Sequence, residues 1–394
     1  MTAFIYDLLL ISMLLSLYLS GKELKRVDSL KSKAVILGIL FYTFNVGLRY
    51  GRGIDYNLYG QRYESFLMGG DFDYEIGFVA VAKLLSFLGV SWQGFVLFLS
   101  FVFIFSTIYF IRNYREIVPY ALPLFALFSL SRVENMVRWY FGFSFLLIGL
   151  SFLLKENDKK VLLYFIFSFL ACCFHLALAP VSILYFIIYN CKTIFLRPIV
   201  TIGLFYIIGF FFQTDFMLSL IDLINRYSML LGDYVHYVDN ADYWLVGGFA
   251  GAERNAFPGL TMQLLFMVVA IWGYKIIKEM DHTYIFAYNL FIIGYLTLPI
   301  ARQIELFSRY NAVFYFFIAV VFASILNKIY AQKSLKVRPI VIVFISLVFL
   351  NYGRFVIVEP FKGNKDHYLY VWDRDGRTYD EMYDTWIDDL MYNN

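Results

Sequence analysis

The chain has 394 residues, 61% of them hydrophobic and 16% charged, with a formal net charge of +3. Ordinary soluble domains carry about 25% charged residues, so this composition excludes a globular enzyme with a solvated surface. The three cysteines (Cys172, Cys173, Cys191) lie within or beside apolar runs and offer neither a disulfide framework nor a CxxC metal spacing.

The first apolar run, 3–20, has no basic segment before it and no small-residue cleavage site, which predicts a span rather than a removed signal peptide. Further candidate spans follow at 34–48, 94–111, 117–130, 139–154, 161–175, 176–190, 199–213, 260–274, 283–300, 312–327 and 339–358. Several are shorter than the ~20 residues a perpendicular helix prefers. The apolar block from Val161 to Asn190 is too long for one span and breaks near His175 and Pro180, which predicts two helices meeting at a tight turn. The fold expected is all-α: a polytopic transmembrane helical bundle over 1–358, with about 12 spans and one interfacial helix. A polar, aromatic tail over 359–394 follows it.

The interfacial helix is Ile76 to Gly89, and it decides the topology. The segment is short and carries Lys83 at its middle. If it lies in the interface, the inner loops are 21–33, 112–116, 155–160, 191–198, 275–282 and 328–338. These hold five, two, three, two, two and four Lys or Arg. Positive residues favour the cytoplasmic side, so this arrangement is preferred over one in which 76–89 spans. Both termini then face outward, with outer loops at 49–93, 131–138, 214–259 and 301–311.

Those outer loops contain Arg49, Arg52, Arg62, Arg132, Arg138, Arg226, Arg254, Arg302 and Arg309, whereas lysine is confined to Lys83 of the interfacial helix. A guanidinium is a planar fork that grips phosphate or carboxylate with two bonds at once. The bland alternative is that single arginines pair with local acids or lipid head groups. The first outer loop adds Asp55, Glu64, Asp71, Asp73 and Glu75 among tyrosines, including Tyr56 and Tyr59, a mixture suited to a sugar ligand. With 33 tyrosines in the chain, an aromatic belt is the competing explanation. Arg132, Glu134, Asn135 and Arg138 crowd the next turn, where Asn135 and Arg138 share one helix face. His175 falls at a helix break on the same side and is a candidate base or hydrogen-bond donor. In the turn 301–311, Arg302, Glu305 and Arg309 have the spacing for internal pairing. The 214–259 loop is too long for a simple connector and reads as a lid or an outer helix. No P-loop, Rossmann fingerprint, HExxH or GxSxG occurs, which disfavours a nucleotide-driven pump. Nothing points to nucleic acid, a metal or a cofactor.

The run Arg49-Tyr50 … Gly53-Ile54-Asp55-Tyr56-Asn57-Leu58-Tyr59 resembles the RY…G.DY..Y signature of the EpsG family of Wzy-type polysaccharide polymerases. Further elements follow in that family's order: Glu75-Ile76-Gly77-Phe78, Asn135-Met136-Val137-Arg138, Phe174-His175 with Ala177-Leu178, and Arg309-Tyr310. Trp139 stands where the family commonly has a glutamine. The resemblance implies a GT-C-like polymerase or ligase architecture in a bacterial cytoplasmic (inner) membrane, with the working face extracytoplasmic. It implies joining of oligosaccharides carried on undecaprenyl diphosphate, to build capsule, exopolysaccharide or O-antigen among the membrane lipids. A partner controlling chain length would fit but has no mark in the sequence.

Such a reaction needs cationic forks for a departing diphosphate and a group that takes a proton from the attacking hydroxyl. The outer arginines meet the first need: Arg138 and Arg309 foremost, with Arg132, Arg52, Arg302 and Arg49 in support and Asn135, Tyr56 and Tyr59 lining the sugar. His175 is the first choice of base, and Asp55 or Glu75 the second. The alternatives are a flippase or transporter of the same lipid-linked sugars, a glycan ligase, and a membrane O-acyltransferase. A flippase would call for paired repeats around a vestibule reachable from both faces, and the chain shows no two-half symmetry.

Overall fold

The computed structural model describes residues 2–155, 158–212, 259–303, 305–332 and 368–392, together with Ser346. The expected span 339–358 therefore lies outside the described residues apart from Ser346, and most of the 214–259 loop lies outside them too. The described chain is helical, with no strand beyond one isolated bridge between Arg49 and Tyr370.

In chain order the helices are α1 (Thr2–Val27), α2 (Lys33–Gly47), α3 (Ile54–Leu67), α4 (Ile76–Phe87), α5 (Trp92–Ile111), α6 (Val118–Asn135), α7 (Val137–Leu153), α8 (Lys160–Phe174), α9 (Leu178–Tyr189) and α10 (Pro198–Phe211). After 259 come α11 (Leu260–Ile277), α12 (His282–Gln303), α13 (Glu305–Tyr315), α14 (Ile318–Gln332) and the tail helix α15 (Tyr379–Tyr392). Five helical stretches are long and apolar enough to cross a membrane: Phe4–Val27, Trp92–Ile111, Leu260–Ile277, His282–Gln303 and Phe307–Ala331. Six shorter apolar helices lie among them. The outward faces of the shorter helices carry bare hydrocarbon, such as Phe169, Ile199 and Phe210, as a lipid-facing surface does.

Local chemistry sets the boundaries. Ser32 and Ser91 cap α2 and α5 by accepting from the amides of Val35 and Gly94 (3.4 Å each). Prolines stand in the first turns of α6 and α10, where the missing N–H costs nothing. The expected span 312–327 is interrupted at Phe316–Phe317, where the Phe317 amide donates to the Phe314 carbonyl (3.2 Å) in a tightened turn. The reason is packing: Phe316 lies against Phe125 (4.6 Å) and Phe143 (5.4 Å) in the aromatic core.

Lipid is as apolar as leucine, so helices in a membrane associate through close approach and hydrogen bonds. Gly142 and Gly149 of α7 face the α8 backbone so closely that a Cβ would lie 3.1 Å from the Ala171 oxygen and 3.2 Å from the Tyr164 oxygen. Tyr185 donates to the Val313 carbonyl (2.9 Å), Tyr288 to that of Ala270 (2.8 Å), and Asn311 to that of Gly294 (2.6 Å).

These contacts define two unlike ends. At one end, Lys25 pairs with Glu116 (2.8 Å), Arg115 donates to the Lys25 carbonyl (3.0 Å), Asn113 donates to Ser151 (2.8 Å) and Lys160 donates to Tyr189 (3.1 Å). At the other end lie Arg49, Arg52, Arg132 and Arg138. Both ends of α4 are at this arginine end. Glu75, before it, bonds Arg138 at the start of α7; Val90, after it, accepts from Tyr63 of α3 (2.9 Å). At 12 residues α4 is about 18 Å long, short of the ~30 Å hydrocarbon core.

The arginine end has a second core. Tyr50, Tyr56, Tyr59, Tyr63, Phe72, Phe78, Trp92 and Phe95 pack together with Tyr379 and Met382 of the tail. The tail is thus folded onto the bundle: the Tyr50 amide donates to Leu369 and the Val371 amide to Leu48 (3.0 Å each).

Candidate active site

Four chain breaks converge at the arginine end, and each is built by its own local chemistry. Gly53 precedes α3 at φ +99°, and a Cβ there would sit 3.1 Å from Asn135 Cα. Only glycine takes that conformation and that approach together. The Asp55 amide, one residue into the helix, donates to Asn135 Oδ1 (3.1 Å). Asn135 ends α6, a single residue (Met136, ψ 58°) separates α6 from α7, and Arg138 stands in the first turn of α7. Glu75 is the N-cap residue of α4, its carbonyl accepting from Phe78 and Val79 (2.9 and 3.1 Å). Gly77 then lets α4 press against α8, where a Cβ would meet the Cys173 oxygen at 2.7 Å. His175, in extended conformation, ends α8, and the chain turns into α9 through the bond from Leu178 N to His175 O (3.0 Å).

The outcome is one polar cluster. Arg138 Nη1 donates to Glu75 Oε2, and its guanidinium lies over the rings of Tyr74 (4.7 Å) and Tyr59 (5.8 Å). The other Glu75 oxygen accepts from the Leu176 amide (3.3 Å) and stands 3.8 Å from His175 Nδ1. The His175 ring meets Trp139 edge-on (4.8 Å), and Trp139 in turn meets Tyr310 of α13 (5.6 Å). Arg309, one residue before, is a charge neighbour of both His175 and Tyr59. Burial and the Asp55 carboxylate push the Tyr59 phenol up, against Arg138 and Arg309, which pull it down. Three buried nitrogens here, Arg138 Nε, Trp139 Nε1 and His175 Nδ1, have no hydrogen-bond partner among the described residues.

The other predicted residues fall around this cluster in distinct roles. Arg132 donates to Asn311 Oδ1 (3.2 Å) and lies over Tyr315 (5.0 Å), at the flank. Arg302 is exposed at the end of α12. Arg49 and Arg52 are each 1% exposed. Arg52 pairs with Glu134 (3.1 Å) between the rings of Tyr6 and Tyr370. Arg49 donates to the carbonyls of Val46 (2.6 Å) and Glu134 (3.1 Å) and lies over Tyr56 (5.1 Å). Tyr56 itself donates to Gln93 (2.9 Å). These buried groups brace the wall behind the cluster. Sequence reasoning missed Trp139, Tyr74 and Tyr310 as members of the site. Trp139 carried a signal, since it replaces a residue type expected at that place.

Among the described residues, no group of three or more His, Cys, Asp or Glu side chains could hold an ion. The cluster instead offers guanidinium forks, a carboxylate and an imidazole around shared aromatic walls. That set suits an anionic leaving group and a proton transfer. Compared with known proteins, the chain matches the EpsG family model over residues 34–370. The chain belongs to the EpsG family. That family comprises Wzy-type polysaccharide polymerase-like proteins. The EpsG match takes in every residue of the cluster and ends at Tyr370, inside the tail segment that pairs with Arg49. No curated protein and no solved structure matches the chain.

Proposed function

We propose that this EpsG protein polymerises undecaprenyl-diphosphate-linked oligosaccharide repeat units at the outer leaflet of a bacterial cytoplasmic membrane. In this reading the arginine end faces outward, because the lysine-rich end is the one that positive charge keeps in the cytoplasm. The observation that carries the reading is the gathering of Arg138, Arg309, Glu75, Asp55 and His175 at the lysine-poor end of a membrane bundle.

Arg138 and Arg309 hold the donor diphosphate, with Arg132 and Arg302 at the flanks. His175 takes the proton from the acceptor sugar hydroxyl as its oxygen bonds to the anomeric carbon. The bond from that carbon to the diphosphate oxygen breaks, and its electron pair leaves on undecaprenyl diphosphate between the guanidinium forks. Tyr74, half-buried beside Arg138, gives the sugar a ring to stack on. A flippase would place its polar groups where both faces can reach them, whereas here they collect at one end. Analysis of lipid-linked intermediates in a deletion strain tests the proposal. Single repeat units accumulating on the outer leaflet support it; units retained on the inner leaflet refute it in favour of a flippase.

A further inference from the structure

We infer that Glu75 is a substrate-operated positioning switch: it pairs with Arg138, and once a diphosphate takes that guanidinium it turns to orient His175. The inference rests on the proposed role of Arg138 in holding the donor diphosphate. It starts from an uneven set of contacts on one carboxylate. Oε2 is engaged by the Arg138 fork, whereas Oε1 holds the Leu176 amide at 3.3 Å and stops 3.8 Å short of His175 Nδ1. That last separation exceeds a hydrogen bond, so His175 Nδ1 is buried and unpartnered.

Arg138 meets Glu75 through Nη1, so a phosphate that engages that edge of the guanidinium takes the place of the carboxylate. The carboxylate of Glu75 thus fills the place that a phosphate oxygen would take. When the diphosphate displaces it, the carboxylate loses its strongest donor while remaining anchored at the N-terminus of α4 and at the Leu176 amide. His175 Nδ1 is an unsatisfied donor 3.8 Å from its Oε1. A rotation closing the 3.8 Å gap gives His175 a partner at Nδ1, fixes the tautomer with Nε2 unprotonated toward the acceptor hydroxyl, and stabilises the imidazolium formed by proton transfer. The Trp139 ring packs perpendicular to the His175 ring at 4.8 Å. The switch delays activation of the base until the donor is seated, which protects the site from idle chemistry.

The switch makes binding and turnover move in opposite directions. Glu75→Gln keeps an oxygen for the Leu176 amide but competes poorly for Arg138. The dissociation constant of inorganic pyrophosphate for the detergent-solubilised full chain is therefore expected to fall, by about tenfold, while polymer formation in cells collapses. A purely structural role would weaken both, and unchanged pyrophosphate binding would mean that Glu75 does not compete for Arg138; either result overturns the switch. The wild-type chain gives an independent readout. With ¹⁵N-labelled histidine, the resonance lost in His175→Asn is expected to move toward a hydrogen-bonded Nδ1 on adding pyrophosphate, and an unmoved resonance refutes the inference. Pyrophosphate binding by the wild type that is absent, or indifferent to Arg138→Gln, would instead remove the functional reading beneath it.

Discussion

Arg138 and Arg52 show how one residue type divides into two roles. Arg52 is sealed between Tyr6 and Tyr370 with Glu134 as its counter-charge, whereas Arg138 lies at the polar cluster with one nitrogen unpartnered. Removing one member of a buried ion pair strands the other in a medium that penalises bare charge. Glu134→Ala is therefore expected to destabilise the protein by about 3–5 kcal/mol, read as a large drop in thermal unfolding temperature in detergent. The double variant Arg52→Met, Glu134→Leu should lose less than Glu134→Ala alone. At Arg138 the geometry of the fork matters more than the charge. Arg138→Lys keeps the charge, loses the paired donors, and should cut polymer formation by about 100-fold, measured as product chain length and yield. Wild-type chain lengths in that variant would remove the forked-phosphate argument. From sequence alone Arg49 and Arg52 read as supporting ligands beside Arg138, because the partners that brace them are distant in the chain or belong to the tail.

At the scale of elements, α4 is the instructive case. Its length and central lysine are legible in the sequence, and both predict a helix that stays at the interface. Its use is not legible: α4 is a lever that delivers Glu75 to Arg138 and His175. The lever works because Gly77 allows backbone contact with α8 at Cys173. Gly77→Val should push α4 away and separate Glu75 from His175. We expect lost polymer formation with helix content unchanged by circular dichroism, and full activity would show that the α4–α8 contact does not set the site. Helix breaks tell a similar story. The α8–α9 turn follows from the length of the apolar block, but the interruption at Phe316–Phe317 comes from the way those rings pack into the aromatic core.

For the whole molecule, the decisive property is the contrast between its ends. The bundle places Lys25, Arg115 and Lys160 at one end and the polar cluster at the other. Ser91, the cap of α5, is exposed at the arginine end. A cysteine at that position, with Cys172, Cys173 and Cys191 replaced, should react with a membrane-impermeant thiol reagent added to intact cells. Labelling only after the membrane is opened would invert the orientation and with it the proposed outward site. The tail belongs to this scale as well, since residues 368–382 complete the second core and pair with the chain at Arg49.

The sequence by itself determined that the chain is a helical membrane protein, where many helices begin and end, which end carries lysine, and that α4 is too short for an upright span. These follow from local rules: hydrocarbon demands closed backbone bonding, helix rise sets span length, and charge cannot hide in lipid. The tertiary structure alone decided which arginines are braced and which are poised, that Trp139 supports His175, and that the tail closes the wall. Those are properties of desolvation and pairing between residues far apart in the chain, as when Glu75 meets Arg138 and His175, and no local pattern encodes them.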